Sequence, residues 1–530
     1  MKSKKPHLTD LNRRRLLLAG AVAGGVTLAR PGSLRAATAK SLPIRGSGPD
    51  IYSLMGVKPF INCTSTYTIN GGSAMLPEVI EAMSRAAYYP VNFDELMEGA
   101  GKRLAELLQA ESAMVSSGTA GAITCATLAC VAGGDPEKMQ QLPDTTGLKN
   151  EVIVPRWSRS VYDHAVRSTG VKMVEVQTLE DLQRAFTSKT AMATAQVNMA
   201  ADGNPFTLEQ FVAEAHKHGV PVVLDVADRL PLVPNPYLSR GADLVAYSGG
   251  KIIRGPQTAG ILLGRKDLIS AAFMNSAPHH AFARAMKVSK EEIVGMVKAI
   301  EMLRTGKRNR DAEDKEWRAW FLHITNTVSK IPGVSGEIIE PKDKQYYPTM
   351  KVVWDKNKIG ITAGEVGQAL LNGEPRIMTH AGLQESNQSS EMLLRPVAMW
   401  ADEYKIVADR IHEILSKAPG PRPKSQPAAP IGQLAGTWEA DLTFKVGTAR
   451  HSFQLTPAAN TIVGNYTGRL VKGPIKGQID GSNFEFSTSC RYEGTSLHYT
   501  YKGTLDGDRL TGTVDLGEYG QATFTATRRS

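Results

Sequence analysis

The chain has 530 residues, 42% hydrophobic and 22% charged, the balance of a soluble globular protein and too long for one ordinary domain. The formal charge of +10 would suit a polyanionic partner. However, eight Lys/Arg and one Asp fall in residues 1–39, leaving 54 basic against 51 acidic residues, about +3, which excludes an obvious nucleic-acid footprint.

In chain order, residues 1–39 are expected to be an export leader. Arg13-Arg14-Arg15 precedes an apolar run from Leu16 to Leu28, too short to span a membrane, and Ala37-Thr38-Ala39 is a small-residue cleavage site. This is the pattern of a twin-arginine signal; the other reading is an uncleaved N-terminal anchor. The twin-arginine route carries folded proteins, so a cofactor could be loaded before export. The expected location is periplasmic or extracellular, with no transmembrane span once the leader is removed.

Next comes Ser116-Ser117-Gly118-Thr119-Ala120-Gly121, ahead of the apolar stretch Ala122 to Val131. Hydroxyls and backbone N–H groups at a helix N-terminus make an anion cup suited to a phosphate, or form an ordinary N-cap. Cys125 and Cys130 sit five apart in the same expected helix and do not face each other. With Cys63 and Cys490 they show no disulfide or metal-ligand spacing, so buried free thiols are expected. His164, in Tyr162-Asp163-His164-Ala165, could stack on a ring or be structural.

Strands are expected at Lys172–Val176, Met192–Val197, Val220–Val226, Leu244–Tyr247 and Ile261–Leu263. Helices are expected at Thr178–Phe186 and Thr207–His218, capped by Thr178 and Thr207. Strand–helix alternation with unbroken apolar strands predicts a mostly parallel sheet covered on both faces. Asp225 closes one of these strands, and a buried carboxylate there needs a partner; the alternative is a turn cap with Arg229. Lys251 follows the glycine turn in Tyr247-Ser248-Gly249-Gly250-Lys251 and would point into the crevice at the carboxyl ends of the strands. The alternative is a surface-loop lysine. Together these features fit pyridoxal 5′-phosphate (PLP), with its ring nitrogen on Asp225 and its phosphate at Ser117–Thr119 and Ser248.

Pro419 to Pro430 reads as a stiff linker. Beyond it, Trp438–Phe444, Phe484–Phe486 and Leu497–Tyr501 alternate with period two. Asn465, Asp480-Gly481 and Asp506-Gly507 read as turns, so a small antiparallel barrel or sandwich is expected. His451 and His498 are expected at its surface, and no metal site is expected.

The segments Gly56–Asn62, Ser117–Ala120, Tyr162–Ala165, Leu224–Ala227, Ser248–Gln257 and Arg284–Lys287 together resemble the fold-type-I PLP enzymes. The likeness is specifically to the group that includes selenocysteine synthase (L-seryl-tRNA(Sec) selenium transferase) and D-glucosaminate-6-phosphate ammonia-lyase. The resemblance covers roughly residues 51–415. It implies a three-layer α/β sandwich with a large domain at 40–300 and a small lobe at 301–418; the Pro-rich linker is expected at 419–431 and the β domain at 432–530. It implies that Lys251 carries the cofactor as a Schiff base, that Asp225 pairs with the ring nitrogen and that His164 stacks on the ring. Ser117, Gly118, Thr119 and Ser248 would hold the phosphate. Arg284 and Lys287 would face the substrate's anionic group, unless they pair with Glu291 and Glu292. Arg376 is the rival clamp from the small lobe.

Gly250, where selenocysteine synthase has an acidic residue, and Asn70-Gly71-Gly72-Ser73, where it has an arginine turn, argue against selenium transfer. Selenocysteine synthase also carries an N-terminal tRNA domain, whereas the resemblance here begins about a dozen residues after the leader. The expected reaction is α,β-elimination on an amino acid or amino-sugar acid. Aldol cleavage, racemisation and transamination are the enzymatic alternatives, and an exported binding protein on a decayed PLP fold is the non-enzymatic one. A homodimer or larger homo-oligomer is expected, with a small amino substrate and no nucleic-acid partner.

Overall fold

A computed structural model describes residues 51–196, 198, 203–341, 345–381, 389–421 and 427–529. The expected leader lies outside the described residues, as do positions 422–426 of the linker.

Helices α1 (Pro77–Ala87) and α2 (Phe93–Leu108) precede the large sheet. Proline opens α1, where its missing N–H is no loss, and the Asn92 side chain caps α2 by accepting from the N–H groups of Asp94 and Glu95. The sheet strands are β2 (Ser112–Ser116), β3 (Glu151–Pro155), β4 (Lys172–Val176), β5 (Thr190–Gln196), β6 (Val222–Asp225), β7 (Leu244–Ser248) and β8 (Gly260–Gly264). Their order is β2-β8-β7-β6-β5-β3-β4, and every pair is parallel except the two made by β8. Helix α3 (Gly118–Ala132) is buried along almost its whole length, as its lack of charged side chains allows. Thr178 and Thr207 each form a capping box, with Asp181 and Gln210 respectively, so both expected helices begin where their caps place them.

The smaller lobe holds the antiparallel strands β9 (Val334–Ile339), β10 (Thr349–Trp354) and β12 (Glu391–Leu394), in the order β12-β10-β9. Two short parallel strands, β1 (Ile61–Asn62) and β11 (Ile377–Met378), join the N-terminal segment to this lobe.

Strands β13 (Gly436–Thr443), β14 (Thr448–Ala458), β15 (Thr461–Thr467), β16 (Lys472–Asp480), β17 (Asn483–Tyr492), β18 (Thr495–Asp506), β19 (Arg509–Asp515) and β20 (Gln521–Arg528) form a closed antiparallel barrel, each paired with the next and β20 with β13. Closure leaves no free edge. Its interior is filled by Phe453, Phe486, Tyr501 and Phe524, with ring centroids 4.8–5.2 Å apart between Phe453 and Tyr501, Phe453 and Phe486, and Tyr501 and Phe524. Two expectations are corrected here. Asn465 is not a turn: it pairs with Gln454 and Pro474 inside β15, because barrel pairing outweighs its local turn preference. His451 is not a surface residue: it is buried, with Nδ1 2.7 Å from the Tyr501 hydroxyl. His498 is exposed as expected. The four cysteines are free thiols.

Candidate active site

The carboxyl ends of β2, β5, β6 and β7 bring Ser116, Gln196, Asp225 and Ser248 to one edge of the sheet, where open α/β folds bind ligands. The lysine turn is built from main-chain bonds. Gly249 N–H donates to Ala259 at 2.8 Å, Gly255 N–H to Gly249 at 2.8 Å, and Arg254 N–H to the Lys251 carbonyl at 3.0 Å. A Cβ at Gly250 would stand 2.6 Å from the Gln257 Cα and 2.8 Å from its carbonyl oxygen, so no side chain fits in front of Lys251.

Salt links fix the turn from below. The Arg308 guanidinium, almost fully buried, donates to the carbonyls of Ile252 at 2.8 Å and Ile253 at 2.7 Å. Glu313 accepts from Arg308, Arg254 and Arg310 at 2.9–3.0 Å. Above the turn, Ser73 N–H donates to the Gly250 carbonyl at 3.0 Å, bringing the Tyr67–Ser73 loop down onto it.

Lys251 Nζ lies 5.9 Å from the centroid of the Tyr162 ring. The Asp225 carboxyl is pushed above its usual range by burial, although the Ala227 N–H at 3.0 Å and the positive charge of Lys251 both pull it down. A buried carboxylate held in this way is short of a cationic partner. At the start of α3, Ser117 makes no side-chain cap, and Gly118 takes φ +69°. The Thr119 hydroxyl is buried with no hydrogen-bond partner. An uncapped helix N-terminus with an orphaned hydroxyl fits an anion. Beside it a cavity of about 360 Å³ is lined by Ser117, Gly121, Tyr162, His164 and Met286. The residues present therefore fit PLP: an anion cup, a lysine, and a buried carboxylate for a ring cation.

The remaining expected residues divide. Arg284 and Lys287 are exposed. Their alternative partners are engaged elsewhere, Glu291 with Lys290 and Glu292 with Thr258 and the Ser289 N–H. Arg376 donates Nε to the Leu371 carbonyl at 3.0 Å and Nη1 to the Lys58 carbonyl at 2.9 Å and so seams the lobe to the N-terminal segment. Sequence reasoning missed Arg395, which follows β12. Its Nη1 donates to the Thr64 carbonyl at 2.9 Å, and its charge, after burial, lowers the His380 pKa. His380 faces Tyr67 at 6.1 Å, and its buried Nδ1 has no partner. Tyr67 in turn acts on the Tyr162 hydroxyl, which burial, Asp225, Tyr67 and Glu518 all raise. Arg395 thus holds the Thr64 carbonyl and lies within electrostatic reach of His380. Its only sequence signal was a lone arginine closing an apolar strand.

The family model for aminotransferase class-V matches residues 81–384. The D-glucosaminate-6-phosphate ammonia lyase of Salmonella typhimurium is 30% identical over 380 residues, covering 70% of this chain and 99% of that one. A 5'-C-glycyluridine monooxygenase-decarboxylase from Streptomyces sp is 30% identical over 389 residues, covering 70% and 93%. A solved structure of D-glucosaminate-6-phosphate ammonia-lyase matches with a TM-score of 0.62 at 28% identity, over 70% of this chain and 100% of that one. The chain belongs to the aminotransferase class-V family and is a PLP-dependent enzyme of fold type I.

Proposed function

We propose that the protein is a lyase working at the α-carbon of a β-hydroxy amino acid or amino-sugar acid, converting it to a 2-oxo acid and ammonia. The observation that carries the reading is the buried Asp225 carboxylate within electrostatic reach of Lys251, beside a helix N-terminus with an orphaned hydroxyl. When bound, PLP supplies an electron sink for the charge left as the α-proton departs.

The chain's residues do the rest. Ser117, Gly118, Thr119 and Ser248 would hold the phosphate, and Asp225 would keep the proton on the ring nitrogen. His164 covers the ring. Lys251 would carry the cofactor and would move the proton at the substrate's α-carbon. Arg395 from the small lobe, with Arg284 and Lys287 from the large one, orients the substrate's anionic groups through paired donors. The elimination outcome draws on the ammonia lyase relative, whose name specifies an amino-sugar acid phosphate. The Streptomyces relative's name specifies decarboxylation, so the assay must separate outcomes.

The test is incubation of the purified protein with β-hydroxy amino acids and amino-sugar acids, D-glucosaminate-6-phosphate among them. Equal amounts of ammonia and 2-oxo acid are expected. Carbon dioxide, an aldehyde, or amino transfer without ammonia would overturn the elimination reading.

Two further parts of this reading concern the whole protein. Export by the twin-arginine route is supported by Arg13-Arg14-Arg15 and Ala37-Thr38-Ala39. A homodimer is supported by the exposed apolar side chains Leu54, Met55, Ile69, Tyr88 and Tyr89, 64–83% accessible in the single chain.

A further inference from the structure

Three carboxylates meet on one buried guanidinium. Arg159, whose side chain is 2% exposed, gives Nε to Asp163, Nη1 to Glu175 and Nη2 to Glu493. Asp163 belongs to the same turn, and Glu175 lies on β4. Glu493 comes from the barrel, 334 positions along the chain, at the tip of the β17–β18 hairpin.

The tip is shaped for this contact. Tyr492 pairs with Thr495, so Glu493-Gly494 is a two-residue loop. Glu493 takes φ +52°, where hairpins favour glycine or asparagine, and a glutamate there is strained. Gly494 packs its backbone on the turn: a Cβ there would stand 2.0 Å from the Ser160 carbonyl oxygen and 2.5 Å from Asp163 Oδ2. The Arg167 guanidinium lies 5.7 Å from the Tyr492 ring centroid, so the hairpin holds the segment beyond the turn as well.

The turn so gripped is the one that faces the lysine. Asp163 and Ser160 close it with a capping box. Between them Tyr162 stands 5.9 Å from Lys251 Nζ, and His164 follows at once.

We propose that the barrel hairpin is a working part of the catalytic wall and that Glu493 is a positioning residue, acting through Arg159 to hold the Ser160–His164 turn against Lys251. A barrel that merely tethers the enzyme to some surface needs no such grip. The catalytic half of the proposal rests on Lys251 as the cofactor lysine; the mechanical half does not.

The test uses the full chain carrying Glu493→Gln or Glu493→Asp, with Glu485→Gln as the control, a half-buried barrel glutamate paired with Lys502. Hydrogen exchange is followed first without cofactor. Amides of 160–167 are expected to exchange faster in Glu493→Gln, to recover toward wild type in Glu493→Asp and to be unchanged in the control, while β13–β20 stay protected. The visible circular dichroism of the PLP-loaded protein is then compared, because that band reports how the wall holds the ring. It is expected to lose amplitude in Glu493→Gln and to return in Glu493→Asp. Unchanged exchange overturns the proposal, and so does faster exchange with an unchanged band. A cofactor adduct on a lysine other than Lys251 would remove the catalytic half while leaving the exchange result standing.

Discussion

At the residue scale the site turns on Asp225, a carboxylate whose burial leaves it one partner short. Replacing Asp225 with alanine should leave PLP bound through phosphate and lysine, yet lower turnover by about 10²–10³-fold, the usual scale for a lost preorganised charge. Near-normal steady-state rates in that variant would count against the ring-nitrogen pairing. Arg395→Met should raise KM by roughly 10- to 100-fold, since charge-assisted hydrogen bonds of about 1.5–3 kcal/mol are lost. Arg376→Met should lower the melting temperature and leave KM alone, because its guanidinium holds only main-chain carbonyls. The reverse pattern in kinetics and melting would restore Arg376 as the clamp. Lys251, Asp225 and Thr119 were legible in the sequence because each sits at a strand end or helix start that its immediate neighbours define. Arg395 and Arg159 were not. Their partners Thr64 and Glu493 lie 331 and 334 positions away, and no local pattern encodes such a meeting.

At the scale of elements, the segment carrying Lys251 is held by charge rather than by regular structure. Glu313 is the shared acceptor for three arginines, one of them almost wholly buried. Glu313→Gln should therefore destabilise the protein by about 3–5 kcal/mol, the scale for a buried charge left unpaired, measured by denaturant unfolding. A loss below about 1 kcal/mol would show that the network is solvated. In the barrel, burial lowers the His451 pKa from 6.5 to about 4. The folded state therefore resists a proton that the unfolded state accepts. Its contribution is complete above about pH 6.5 and is lost as pH falls from there toward 4. The barrel's melting temperature should drop over that window, and His451→Phe should flatten the drop. An equal drop in both proteins would place the cause elsewhere. Helix caps at Thr178 and Thr207 could be read directly, because a capping box lies within four residues. Asn465 could not, because strand pairing across a closed barrel decides its conformation. His451 could not either, because alternation shows two faces without saying which one closes inward.

At the scale of the whole molecule, the β17–β18 tip of the barrel bonds Arg159 of the large domain, and the small lobe bonds the N-terminal segment through Arg376 and Arg395. The sheet alternation and the change to short strands after the linker were plain from periodicity. The grip of the barrel on the Tyr162 turn was not, since it is made by a single hairpin tip. Light scattering should find a dimer, with the exposed apolar residues near the N-terminal segment covered; a fully active monomer at low concentration would contradict that. The central claim is that this chain is a PLP enzyme whose cofactor is carried by Lys251, and the direct measurement is borohydride reduction of the loaded protein followed by peptide mapping. The account predicts one pyridoxyl adduct, on the peptide carrying Lys251, and none in Lys251→Ala; an adduct on any other lysine, or no adduct in the wild type, would contradict it.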